Sequence, residues 1–138
     1  MKPEQLVKKI TELIFEKKGT DVKLINLQPV TTVADYFIIC SADSDTQVKA
    51  IADNVDKSLR DEGIKLWHKE GYSSLNWVLL DYVDVVVHVF KHESRLFYNL
   101  EKLWGDAPVE SLEDPKLKKP RKRTTKKVIV SPGEIIEK

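Results

Sequence analysis

The sequence predicts a mixed α/β domain: a mixed β-sheet of about five strands with helices packed on it, in the order αββαβββα. Three observations carry this expectation. Apolar residues recur at helical spacing in residues 6–14 and again in residues 48–59. Residues 22–27 alternate as a strand does, and residues 35–41 form a more continuous apolar run. Residues 77–90 consist of two β-branched and aromatic runs around a short acidic turn, Asp81-Tyr82-Val83-Asp84, the pattern of a hairpin.

Taken in order, Pro3 suits the first turn of a helix. Leu6, Val7, Ile10, Leu13 and Ile14 share a face of that helix, and Lys17-Lys18-Gly19 stops it. Strands over residues 22–27 and 35–41 follow, separated by the Gln28-Pro29 turn. Ser44-Asp45-Thr46-Gln47 has the form of a capping box, with Ser44 as the cap and Gln47 reaching back. The helix it opens sets Val48, Ile51, Ala52, Val55 and Leu59 on one face and ends at Gly63. This helix lets the second strand and a short third one, over residues 64–67, run parallel through a right-handed crossover. Residues 70–74 form a loop into the hairpin. There, Val78 and Leu80 point one way and Trp77, Leu79 and Asp81 the other. The second run is apolar on both faces, with Val85, Val87 and Val89 opposite Val86, His88 and Phe90, as a central strand requires. A last helix over residues 93–104 turns Leu96, Phe97, Leu100 and Leu103 inward, keeps Tyr98 in the core, and stops at Gly105.

The chain has 138 residues, 41% of them apolar and 33% charged, enough for one folded domain with a real core. No apolar run approaches the roughly 20 residues of a spanning helix, so no membrane association is expected. The N-terminus lacks the apolar segment of a signal peptide, and the single cysteine, Cys40, makes no internal disulfide; both point to the cytoplasm. Charge divides the chain in two. Residues 1–110 carry 14 Lys/Arg against 18 Asp/Glu, whereas residues 111–138 carry 9 against 4. The expected organisation is an α/β domain over 1–110 and a basic, flexible extension over 111–138, an asymmetry that suits a charged partner.

Asp43 and Asp45, with Asp35 upstream, raise the alternative of a divergent nucleotidyltransferase-like enzyme. That chemistry needs carboxylates side by side on a rigid strand and a glycine-rich phosphate loop before them. No such loop precedes the pair, and an aspartate at a helix start is favoured by the helix dipole alone. His68, His88 and His92 stand apart without ligand spacing, and Cys40 lies in an apolar run. No nucleophile elbow, phosphate loop or dinucleotide fingerprint is present, so neither an enzyme nor a cofactor is expected. The face of Trp77, Leu79 and Asp81 has two readings. One is core packing beneath a helix; the other is a docking surface for a basic protein partner, with Glu70 and Asp84 extending its acidic rim. The basic extension is either a solvated tail or a source of phosphate contacts through Lys118, Lys119, Arg121, Lys122 and Arg123. It has no aromatic to stack a base, which argues against sequence-specific RNA reading.

Several motifs occur together in one order: Ala34-Asp35-Tyr36-Phe37-Ile38-Ile39-Cys40-Ser41, Ile51-Ala52-Asp53, Glu70-Gly71, Trp77-Val78-Leu79-Leu80-Asp81-Tyr82, Val86-Val87-His88-Val89-Phe90 and the stretch from Arg95 to Asp106. The set resembles the ribosomal silencing factor (Iojap) family over about residues 5–107. That resemblance implies a nucleotidyltransferase-like fold without the catalytic metal site. It also implies binding to the large ribosomal subunit through its protein numbered fourteen, blocking small-subunit joining and repressing translation when nutrients are scarce. By the same resemblance Trp77, Leu79 and Asp81 meet that protein, with Glu70 and Asp84 as acidic partners for its Lys and Arg. An RNA-binding accessory role in ribosome assembly is a further alternative. The basic extension lies outside the matched stretch, and its expected contact is nearby ribosomal RNA. A free homodimer would shield the Trp77 face. Val83 and Ala42 stand where glycine is common in the family, so the hairpin is expected to use a turn without positive φ at residue 83.

Overall fold

The structure, a computed structural model, describes residues 1–116. Its sheet has six strands: β1 (Thr20–Asn26), β2 (Tyr36–Ala42), β3 (His68–Glu70), β4 (Trp77–Asp81), β5 (Val85–Lys91) and β6 (Val109–Leu112). They lie in the order β3-β4-β5-β2-β1-β6. The β2–β5 pair is parallel and every other neighbouring pair is antiparallel, giving the mixed sheet that the sequence predicts. Burial explains the order. β2 and β5 are apolar on both faces and occupy the centre, while the three exposed residues of β3 form an edge. β3 does run in the direction of β2, but β4 and β5 separate them, and the parallel neighbour of β2 is β5.

Helices α1 (Pro3–Glu16) and α2 (Asp45–Asp61) pack on one face of the sheet. The Ser44 hydroxyl caps α2 by accepting the Gln47 N–H at 3.2 Å, as the sequence predicts. The Gln47 side-chain carbonyl accepts from the Asp43 N–H at 2.7 Å, one residue before the cap. Its amide donates to the carbonyls of Lys17 and Lys18 at 3.2 and 2.9 Å, joining the start of α2 to the end of α1. Leu6, Ile10 and Ile14 of α1 and Val48, Ile51, Val55 and Leu59 of α2 bury themselves against Ile38, Cys40, Val78, Leu80, Val85, Val87 and Val89. A second cluster lies on the opposite face: Ile25, Leu27, Phe37, Ile39, Val86 and Phe90, with Leu100 and Ala107 packed on them.

Three expectations are corrected. The third strand covers His68–Glu70 rather than residues 64–67. The last helix breaks at Asn99, whose φ of +47° separates α3 (His92–Tyr98) from α4 (Leu100–Leu103). Of the side chains expected inward, Leu100 is buried, but Leu96, Phe97, Tyr98 and Leu103 are 70%, 82%, 51% and 74% exposed. The reason is Arg95, which α3 turns inward in their place. Its guanidinium donates to the Ser41 hydroxyl at 2.9 Å, to the Asp21 carbonyl, and to both Glu101 carboxylate oxygens at 3.3 and 2.9 Å. Phe97, two residues on and about 200° round the helix, must then face outward. Finally, β6 pairs Val22 with Leu112 and Ile25 with Val109, a strand that the expected order of elements lacks. Lys118, Lys119, Arg121, Lys122 and Arg123 lie outside the described residues. Among the described residues no helix is long and apolar enough to cross a membrane.

Candidate functional site

Along β4 the period of two separates the side chains as predicted. Val78 and Leu80 are fully buried towards the helices, while Trp77, Leu79 and Asp81 are half-buried on the other face. Register with β3 sets Glu70 opposite Leu79 and His68 opposite Asp81, so these edge-strand side chains share the same face. Glu70 and His68 are exposed and meet at 2.9 Å. A Trp, a Leu and two carboxylates are thereby brought together at an open end of the sheet.

The Asp81 carboxylate is not an unpaired buried charge. It accepts the Val83 N–H at 2.7 Å and so shapes the turn that follows. Within that turn the Asp84 N–H donates to the Tyr82 carbonyl at 2.9 Å, and Val83 sits at φ +74°. A two-residue hydrogen bond around a positive φ is a γ-turn. The expectation that Val83 avoids positive φ is therefore overturned: the Tyr82–Asp84 bond and the Asp81 carboxylate on its N–H together hold residue 83 in that conformation. Asp84 is exposed, and its backbone carbonyl accepts from Asp35 and Tyr36 at 2.8 and 3.1 Å. That contact ties the turn to the start of β2.

Trp77 divides between the two readings that its sequence left open. One side of its ring stacks on Phe90, with centroids 4.8 Å apart and planes at 25°, and the ring remains half-exposed. Its indole N–H donates to His88 Nδ1 at 3.1 Å across the β4–β5 ladder. His88 is buried with its ring 4.5 Å from Phe37, and burial pushes its pKa down to about 3, so the imidazole is neutral. The backbone under Trp77 is held from the other side by Gly71 at φ +94°; a Cβ there would overlap the Trp77 carbonyl oxygen.

Sequence reasoning missed the continuation of this face. Tyr98 lies 5.0 Å from Trp77 and Phe97 5.1 Å from Tyr98, so an aromatic series runs from β4 onto the exposed side of α3. The available signal was Arg95 with Glu101 downstream, an acid able to pair with the arginine and so let it take the inward position.

The carboxylates of the enzyme alternative do not converge. Asp35 precedes β2 and Asp43 follows it, so the strand's seven residues, about 20 Å of extended chain, separate them. Asp45 is exposed at the start of α2 and pairs with Lys91. Among the described residues no three His, Cys, Asp or Glu are placed to hold a metal ion.

Comparison with known proteins gives a consistent result. The family described as "Ribosomal silencing factor during starvation" matches residues 1–132. The chain is 42% identical over 113 residues to the ribosomal silencing factor RsfS of Halalkalibacterium halodurans, covering 82% of this chain and 97% of that one. It is 41% identical over 113 residues to RsfS of Bacillus subtilis, covering 82% and 96%. A crystal structure of a Chromobacterium violaceum protein superposes with a TM-score of 0.74 at 35% identity, covering 76% of this chain and 88% of that one.

Proposed function

Because the chain belongs to the ribosomal silencing factor family, we propose that it occupies the large ribosomal subunit and thereby keeps the small subunit from joining. The contact is made by Trp77, Leu79, Asp81, Asp84 and Glu70 with the large-subunit protein numbered fourteen. The action is steric, in the cytoplasm, and uses neither cofactor nor turnover. It represses translation when nutrients are limiting. The single observation that carries this reading is the half-buried Trp77–Leu79 pair, with Asp81 beside it and Glu70 across the ladder. A large apolar anchor with an acidic rim is the form of a hot spot for a basic protein surface. Lys118, Lys119, Arg121, Lys122 and Arg123 add contacts to nearby ribosomal RNA.

Light scattering of purified subunits tests this. Stoichiometric protein pre-incubated with the large subunit is expected to prevent joining, and pre-incubation with the small subunit alone to add nothing. Normal joining with the large subunit demonstrably occupied would overturn the steric account. For the contact, Trp77→Ala should weaken large-subunit binding by about 30-fold or more, the mark of a hot-spot residue. Asp81→Asn should weaken it by about two- to fivefold, because an amide oxygen preserves the turn while the charge is removed. Wild-type binding by both variants would remove the docking face from the proposal.

A further inference from the structure

Among the described residues His88 is the one buried titratable side chain on the docking face, and its neighbours are specific. Its Nδ1 accepts the Trp77 indole N–H at 3.1 Å, its backbone pairs with Leu79 across the ladder, and Phe37 packs edge-on at 4.5 Å. A neutral imidazole that accepts at Nδ1 carries its proton on Nε2. That Nε2 is buried and has no hydrogen-bond partner among the described residues. Leaving a buried donor unpaired is unfavourable, and a phenylalanine would fill the same apolar space without that cost. The arrangement gains in return one thing that phenylalanine cannot supply, an acceptor for the indole.

We propose that His88 is the positioning residue of the docking face, fixing the orientation of the Trp77 ring before a partner arrives. Trp77 is packed on one side, with Phe90 stacked beneath it and Tyr98 at its flank, while part of its surface stays accessible. Stacking alone leaves the ring free to slide and to turn over about χ2. The indole–imidazole hydrogen bond selects one of those placements and points the N–H inward, so the surface offered to a partner is apolar carbon. A ring already placed gives up less conformational freedom on docking, which raises affinity without a new intermolecular contact. Among the described residues no charged group faces His88. Its aromatic neighbours are Phe37, Trp77 and Phe90, and Leu79 and Ile39 stand opposite it on the adjoining strands; burial keeps it neutral, so the acceptor persists throughout the physiological pH range.

The inference rests on the docking role of Trp77 and is separable from it. Three variants of the full chain are compared: Trp77→Ala, His88→Phe and His88→Asn, whose side-chain oxygen stands close to the Nδ1 position. Each is titrated against large subunits, and the tryptophan indole N–H resonances are recorded by nitrogen-edited NMR. In the wild type one indole signal is expected to shift downfield and to exchange slowly with solvent. His88→Phe should abolish that signature and weaken binding about three- to tenfold, with a melting temperature equal to or above that of the wild type. His88→Asn should restore the signature and part of the affinity. Wild-type affinity in His88→Phe without the signature overturns the positioning role, as does binding by His88→Asn no tighter than that of His88→Phe while the signature is intact. Failure of the docking reading is recognised independently, by wild-type binding in Trp77→Ala.

Discussion

Val83 holds a conformation that a β-branched residue rarely adopts. At φ +74° its Cβ crowds the backbone, and the strain is set by the γ-turn between Tyr82 and Asp84 together with the Asp81 carboxylate on its N–H. Strain of this kind amounts to about 1–3 kcal/mol, and glycine is free of it. Part of the gain is offset by the larger entropy of glycine in the unfolded chain. Val83→Gly is therefore expected to raise stability by about 1 kcal/mol, a rise of roughly 3–5 °C in the thermal midpoint. An unchanged or lower midpoint would mean that the turn relaxes in solution. The valine is 56% exposed between the two turn aspartates. At this scale the sequence was legible where a local period decides. Alternation alone separated Trp77, Leu79 and Asp81 from Val78 and Leu80. It could not pair Trp77 with His88, because residues eleven apart meet only once the β4–β5 register is known.

Among the elements, those with strong internal signals were read correctly and those defined by their neighbours were not. Ser44 and Gln47 mark the start of α2 through hydrogen bonding within one turn, and β5 announces its central place by being apolar on both faces. By contrast β3 has three residues and β6 four, with one apolar residue at each end of β6; both are strands because an adjacent strand offers its edge. The apolar spacing of residues 96–103 is helical, yet Arg95, paired with the partly buried Glu101, takes the inward position and Asn99 breaks the helix. The exposed α3 aromatics then continue the aromatic series from Trp77, which extends the proposed docking face onto α3. Phe97→Ser separates this arrangement from the core placement expected from sequence. If Phe97 is exposed, the substitution should shift stability by no more than about 0.5 kcal/mol in urea unfolding. If it were core, the destabilisation would be about 3–5 kcal/mol. Large-subunit binding should fall several-fold in the same variant. A large drop in stability with unchanged binding would return Phe97 to the interior and confine the face to β3 and β4.

The whole molecule divides by charge into an acidic body and a basic terminal stretch, and β6 carries the sheet as far as Leu112. Residues 1–116 carry 15 Lys/Arg against 20 Asp/Glu, and residues 117–138 carry 8 against 2. The acidic charge supports docking on a basic protein, while the terminal stretch has the opposite preference and suits ribosomal RNA beside that protein. The division fixes how the tail is to be tested. A chain ending at Glu110 would remove Ser111 and Leu112 from β6 and with them half of its pairing to β1, so weaker binding could not be told apart from a weakened fold. A chain ending at Lys116 retains all six described strands. Its melting temperature should match that of the full chain, and it should still prevent subunit joining, since Trp77 and its neighbours are intact. Its affinity should be lower, and above all less sensitive to salt. Each phosphate that the protein no longer neutralises reduces the slope of log K against log salt by about 0.7–0.9, so loss of the five proposed contacts flattens it by roughly four. An equal slope for the two chains would show that the basic stretch touches no phosphate on the subunit, leaving the protein-mediated face to account for binding alone.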